Sequence, residues 1–303
     1  MTKGMIVPLE SSRLVQYAVP IPCYVCHTDN TYDAEFCTHC CAPMALAHQA
    51  NSQKLSPRMV AAIGPSASGK TVYLGMLMDM LSRQPEQIQV LARGAFSITL
   101  QQTTVSALAR GVFPDKTPSE PDHWNWVHCQ VRVTKRRPPL ELIMPDMAGE
   151  AVFQEVDHPY TYRVVRSFLE SCTGALIFID ASRLSAGRLQ ENFFTMKLLT
   201  YLSELKGEGR GDWQQRPVAL VLTKADQCET CFDDPEAYAK AHASGLWQQC
   251  RERFRRHKFF AAGVAGACAW RDAGDGNRIQ VPLRIEPRGI LEPFRWLIEQ
   301  LNS

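Results

Sequence analysis

Hydrophobic residues in this chain fall into short unbroken runs separated by longer mixed stretches. Met59–Ile63, Gly174–Asp180, Pro217–Leu222 and Phe259–Val264 are apolar almost throughout, as parallel strands covered by helices on both faces should be. Val127–Val133 instead alternates apolar and polar, and Lys135 to Pro139 turns the chain into the apolar run Leu140–Met144. That pattern predicts an antiparallel hairpin at a sheet edge. Ile290, Leu291, Phe294, Leu297, Ile298 and Leu301 recur at helical spacing and predict an amphipathic closing helix. The fold class expected is α/β, a doubly wound sheet with helices on both faces. Between Lys70 and Thr117 there is room for an inserted strand and helix, expected within residues 85–112.

Ala45 to Pro57 is rich in Ala, Gln, Ser and Asn, has no apolar period, and reads as a linker. The expected organisation is therefore a small N-terminal module in residues 1–44, a linker at 45–57 and a main domain at 58–303. A chain of 303 residues with 45% apolar content can bury one full-sized core and carry an appendage. Lys and Arg total 33 against 31 Asp and Glu, so the net charge of +2 points to no polyanionic partner. No apolar run reaches the roughly 18 residues of a membrane-spanning helix. Met1 to Pro22 lacks the basic start, apolar centre and cleavage site of a secretion signal. A cytoplasmic protein is expected, in which the 11 cysteines would stay reduced.

Cysteine spacing then carries chemistry. Cys23-x-x-Cys26 is followed, after ten intervening residues, by Cys37-x-x-Cys40. Two such pairs on tight turns aim four thiolates at one ion, the closed tetrahedral set that structural Zn²⁺ prefers. So short a segment cannot fold on apolar burial alone, and metal binding would supply the folding energy. The second half resembles a bacterial zinc ribbon, in which Gly commonly follows the last ligand and Cys41 stands here; Cys41, His27 and His39 are the substitute ligands. A closed site does no chemistry, so the ribbon is expected to dock proteins or stabilise the N-terminus. It carries few Lys or Arg, and nucleic acid is not the partner expected. Cys228-x-x-Cys231 has no second pair nearby and reads as incidental.

Met59–Ile63 runs into Gly64-Pro-Ser-Ala-Ser-Gly69-Lys70-Thr71 and then an apolar helix. This strand, loop, helix order is what phosphate binding by backbone N–H groups requires. Gly64, Ser66, Ser68, Gly69 and Val72 belong to the cradle, Lys70 spans the β- and γ-phosphates, and the Thr71 hydroxyl reaches Mg²⁺. Two further motifs follow in order. The run Leu140–Met144 leads to Asp146-Met-Ala-Gly149, in which Asp146 holds the Mg²⁺ through a water and the Gly149 N–H meets the γ-phosphate. Val218–Leu222 leads to Thr223-Lys224-Ala225-Asp226. A carboxylate at that strand end accepts from both N1–H and the exocyclic amine of guanine, a donor pair adenine lacks. Lys224 would lie along the base.

With these three motifs, Arg58 to Ser303 resembles the Ras-like, translation-factor-related class of P-loop GTPases. The resemblance implies GTP and GDP as ligands and a further base contact from backbone N–H groups at Gly263, Val264 and Ala265. That family more often has Asn where Thr223 stands. It also implies a switch threonine that reaches Mg²⁺ when the γ-phosphate is present; Thr117 is the candidate, with Thr103 and Thr104 as alternatives. Phe113-Pro-x-x-Thr117, the sequence Asp146-x-Ala-Gly-Glu150 and the tail from Pro287 to Ile298 also resemble the bacterial double-GTPase group. This implies a switch working with partner proteins, through its switch regions and zinc ribbon, in a multi-protein regulatory or conflict system.

Ras-like proteins usually carry Gln after the motif glycine, where this chain has Glu150. Glu accepts from a water but cannot donate to the γ-phosphate, and its charge opposes the transition state. Slow hydrolysis is expected, with Lys70, Thr117 and Glu150 as the catalytic group; a partner, Arg163 or Arg166 could supply the missing positive charge, although the two arginines read rather as solvated surface groups. A GTP-binding scaffold without useful hydrolysis and a GTPase acting on nucleic acid are the competing readings. The basic run Arg251, Arg253, Arg255, Arg256, His257 and Lys258 reads as a solvated helix face.

Overall fold

A computed structural model describes residues 19–52, 56–83, 88–132, 139–205, 212–272 and 278–302. Seven strands form the central sheet: β3 (Arg58–Ile63), β4 (Gln89–Arg93), β5 (Trp126–Arg132), β6 (Leu140–Pro145), β7 (Cys172–Asp180), β8 (Val218–Thr223) and β9 (His257–Ala261), in the order β4-β5-β6-β3-β7-β8-β9. β6, β3, β7, β8 and β9 run parallel, while β5 is antiparallel to both β4 and β6.

The alternation of side chains across each strand divides the core in two. Val60, Ala62, Leu176, Phe178 and Val221 face one side, where α2 (Lys70–Arg83), α3 (Ala95–Ala109) and α11 (Leu291–Asn302) cover them. Met59, Ala61, Ile63, Ile177 and Leu220 face the other, beneath α4 (Gly149–Asp157), α5 (Arg163–Ser171) and α7 (Leu189–Glu204). The closing helix seats Phe294, Leu297 and Ile298 fully in the core, as its stripe predicts.

The inserted segment does contain a strand and a helix, β4 and α3. It changes one expectation: the β5–β6 hairpin is not at the sheet edge, because β4 pairs outside it. The turn expected at Lys135 to Pro139 lies almost wholly outside the described residues, as do the first 18 residues of the N-terminal arm. α3 is held against α2 by close approach, since a Cβ on Gly75 would fall 2.2 Å from Thr104 Oγ1.

The expected linker is a second correction. Ala45–Ser52 is a helix, α1, with Leu46 and Ala47 in the same core as the sheet. Spacing conceals this because alanine carries most of the buried face. The cysteine module, with its two-stranded ribbon β1 (Ile21–Pro22) and β2 (Asp29–Asn30), also packs on the main body. Tyr24 meets Trp126 edge-on with ring centroids 5.8 Å apart, and Ser171 donates to the Val25 carbonyl at 2.8 Å.

After β9 the chain forms an antiparallel ribbon of β10 (Gly263–Asp272) and β11 (Arg278–Arg288) rather than a simple strand end. In the basic run, Arg253 bonds Ser203 on α7 and Arg256, in the bend before β9, bonds Gln300 on α11, so these two arginines fasten neighbouring elements rather than forming a free face. Among the described residues no helix is long and apolar enough to cross a membrane.

Candidate functional site

The C-terminal ends of β3, β6 and β8 converge on one cavity of about 330 Å³. Ser66, Gly69, Lys70, Thr71 and Val72 line it from the loop after β3, and Gly149 and Glu150 from the start of α4. Thr223, Lys224 and Asp226 line it from the end of β8, and Val264 from the start of β10. Phe113 to Thr117 close it from a segment between α3 and β5.

Backbone geometry explains the loop residues. A Cβ on Gly64 would fall 2.4 Å from the Phe178 carbonyl oxygen, and Gly69 has φ +86°, in the left-handed region that favours glycine. Gly149 sits so close to the loop that a Cβ would fall 2.4 Å from the Ser66 nitrogen. The Lys70 ammonium folds back to donate to the Gly64 and Pro65 carbonyls at 3.0 and 2.9 Å. Burial lowers its pKa to about 8, against the opposing pull of Asp146 and Glu150. A buried ammonium held only by carbonyls is a receptor for an anion. Ser68 Oγ is likewise buried without a partner among the described residues.

Thr71 and Thr117 hydroxyl oxygens lie 3.0 Å apart, and Thr117 donates to Asp146 Oδ2 at 3.0 Å. Asp146 is fully buried, and its Oδ1 has no partner among the described residues. Burial pushes its carboxyl above the ordinary carboxylate value, against the pull of Lys70. The two hydroxyl oxygens, 3.0 Å apart, fit neighbouring ligand positions on Mg²⁺, whose octahedral ligands at about 2.1 Å stand roughly 2.9 Å from one another, and the orphaned Asp146 Oδ1 fits a bond from one of that ion's waters. Thr103 and Thr104 lie on α3 and do not line the cavity.

At the other end, Asp226 occupies a 3₁₀ turn after β8, and burial raises its carboxyl. A Cβ on Gly263 would fall 2.4 Å from Asp226 Oδ1, so only glycine leaves the carboxylate room. Thr223 Oγ1 is shared between the carbonyls of Ser68 at 2.7 Å and Ile179 at 3.0 Å, tying this strand end to the phosphate loop. We expect Thr223→Val, which keeps the shape and removes that hydroxyl, to weaken nucleotide binding roughly tenfold in an equilibrium titration.

Two groups at the site carry no sequence motif. Asp180, buried at the end of β7, caps α6 (Ala181–Ser185) and pairs with Lys224 Nζ at 2.6 Å. Lys116 forms an ion pair with Glu150. Burial raises the Glu150 carboxyl, yet its bonds with Lys116 and Ser66 outweigh this and hold it below the ordinary value. Arg163 and Arg166 do not line the cavity; Arg166 pairs with Glu170 at 2.9 Å and lies over the Tyr160 ring.

In the N-terminal module the Sγ atoms of Cys23, Cys26, Cys37 and Cys40 all lie within 4.8 Å of one another. Cys23 to Cys40 is 3.7 Å and Cys26 to Cys37 is 3.5 Å, close to the roughly 3.8 Å between sulfurs on a tetrahedral Zn²⁺ with bonds of about 2.3 Å. Val25 N–H and Asn30 Nδ2 approach Cys23 and Cys37 Sγ as donors to thiolates. His27 and Cys41 follow the two pairs with φ of 60° and 62°, making the left-handed turns that glycine usually supplies. His27, His39, Cys41, Cys228 and Cys231 are outside the cluster.

Residues 58–263, more than half of the chain, match the family model of Double-GTPase 2. The chain belongs to this family. It therefore carries a Ras-like GTPase domain, as the three motifs imply. Among solved structures it is similar to the small COPII coat GTPase Sar1 of Encephalitozoon cuniculi in complex with GDP, at 16% identity and TM-score 0.40, over 81% of this chain and 80% of that one. It is also similar to the GTPase-like domain of S. cerevisiae Ski7 bound to GTP, at 15% identity and TM-score 0.43, over 82% of this chain and 50% of that one. No curated protein matches it in sequence.

Proposed function

We propose that this GTPase domain is a Mg²⁺-dependent, slowly hydrolysing switch whose nucleotide state governs the docking of partner proteins. The convergence of Thr71, Thr117 and Asp146, whose Oδ1 has no partner among the described residues, at one end of a cavity that has Asp226 at the other carries this reading. Asp226 reads the guanine edge, Thr223 fixes the strand end, and backbone N–H groups near Val264 supply the remaining base contact. Lys70 and the loop N–H groups hold the phosphates. Mg²⁺, when bound, offsets the charge that gathers on the β- and γ-phosphates.

Thr117 is the switch residue on this reading. Its segment, Phe113 to Thr117, is irregular in backbone and meets Thr71 and Asp146 through two hydroxyl contacts. With GTP bound that segment is held; after hydrolysis it is released, and the surface offered to a partner changes. Glu150 accepts from the attacking water. Having no donor for the γ-phosphate, it makes turnover slow. Zn²⁺ in the four-cysteine cluster fixes the ribbon against the body, where the ribbon also serves as a docking surface. By analogy with the double-GTPase group, such a switch would work in a bacterial multi-protein regulatory or conflict system.

Single-turnover hydrolysis of bound GTP, followed as phosphate release, tests the slow-switch reading. We expect a rate no faster than about 10⁻³ s⁻¹ without a partner, as in unaided Ras-like switches. Turnover near 1 s⁻¹ by the isolated chain, on the order of activated systems, would contradict it.

A further inference from the structure

The ion pair of Lys116 with Glu150 joins the two segments that face the phosphate end of the cavity. Lys116 directly precedes Thr117, whose hydroxyl sits at Thr71 and Asp146. Glu150 directly follows Gly149, which is packed against the backbone of Ser66. Three cationic side chains line the cavity among the described residues: Lys70, Lys116 and Lys224. Lys224 is held by Asp180 at the base end, and Lys70 is held by the loop carbonyls. Lys116 is thus the cation placed to act on Glu150.

A bare carboxylate beside the γ-phosphate repels the charge of the transition state. A carboxylate already paired with an ammonium does not, and it keeps lone pairs with which to accept from a water. We propose that Lys116 is the charge-compensating residue of hydrolysis, holding Glu150 in an ion pair so that its carboxylate orients the attacking water without opposing the reaction. This rests on the GTPase reading above. In the step, a bond forms between the water oxygen and the γ-phosphorus as the bond from that phosphorus to the β–γ bridging oxygen breaks. The bridging oxygen keeps the electron pair and leaves with GDP, and the water protons end on the released phosphate and solvent. Lys116 acts through Glu150 and is a positioning residue. It is the in-chain counterpart of the positive charge that a partner would otherwise supply.

The test compares wild type, Lys116→Ala, Lys116→Arg, Glu150→Gln and the double variant Lys116→Ala/Glu150→Gln. Lys116 is 65% exposed, so its substitution leaves the fold in place. Two quantities are read: single-turnover GTP hydrolysis, and equilibrium binding of GDP with aluminium fluoride, a mimic of the phosphoryl group in transit. We expect Lys116→Ala to lower both by roughly tenfold or more, with affinity for GDP alone changed less than about threefold. Lys116→Arg should recover most of the loss. In the Glu150→Gln background, with no carboxylate to compensate, removing Lys116 should cost less than about threefold. Wild-type rates in Lys116→Ala would overturn the proposal, as would an equal loss with or without Glu150, or a wild type that binds GTP and never hydrolyses it. A wild type that binds no guanine nucleotide would overturn the GTPase reading, and this proposal with it.

Discussion

Asp226→Ala should weaken GTP and GDP binding by about a hundredfold or more while leaving any weak ATP binding unchanged. The carboxylate is pressed against Gly263 in a partly buried turn, where burial already raises its carboxyl. Two charge-assisted bonds to the guanine edge would answer that burial, and alanine answers neither. Since the phosphate loop is untouched, the contacts common to GTP and ATP survive. A competition titration of the variant against both nucleotides reads the difference, and an unchanged guanine preference would remove Asp226 from the site.

The second large effect concerns the zinc cluster. Chelation, or Cys37→Ser, should lower the melting temperature of the whole chain by roughly 10 °C, since several kcal/mol of metal-linked folding energy would be lost. A ribbon on a free linker would unfold alone and leave the GTPase domain's melting unchanged. This ribbon is different: Ile21, Tyr24 and Val25 share a core with Phe168 and Ile177, Tyr24 closes over Trp126, and α1 seats Leu46 beside them. Losing the ion therefore exposes part of the sheet's own cover. Calorimetry with metal analysis measures both quantities, and an unchanged melting temperature at zero bound zinc would contradict this coupling.

Much of the fold was legible because it depends on local chemistry. Buried parallel strands must be apolar on both faces, and β7 and β8 read so directly. The phosphate loop was legible because glycine is demanded at close approaches such as Gly64. Four cysteines in two pairs leave few alternatives to one metal site. What was hidden depends on long-range contact. α1 buries mainly alanines and so shows no stripe. The β10–β11 ribbon begins in the Gly- and Ala-rich stretch from Ala261 to Ala267, which does not say where the chain turns away from β9. Asp180 and Lys116 look like ordinary charged residues until the fold brings them to Lys224 and Glu150. Arginines near Glu150 in sequence proved to be turned elsewhere, whereas the cation that meets it comes from the segment before Thr117.

On the proposed function, one cavity selects guanine at Asp226 and holds a Mg²⁺-linked phosphate at Thr71, Thr117 and Asp146. Equilibrium binding of GTP, GDP and ATP to the wild-type chain, with and without Mg²⁺, tests it most directly. Both guanine nucleotides should bind far tighter than ATP, with GTP depending on Mg²⁺ more steeply than GDP, because the Thr117 contact forms with the γ-phosphate. Equal affinities for ATP and GTP, or GTP binding indifferent to Mg²⁺, would contradict it.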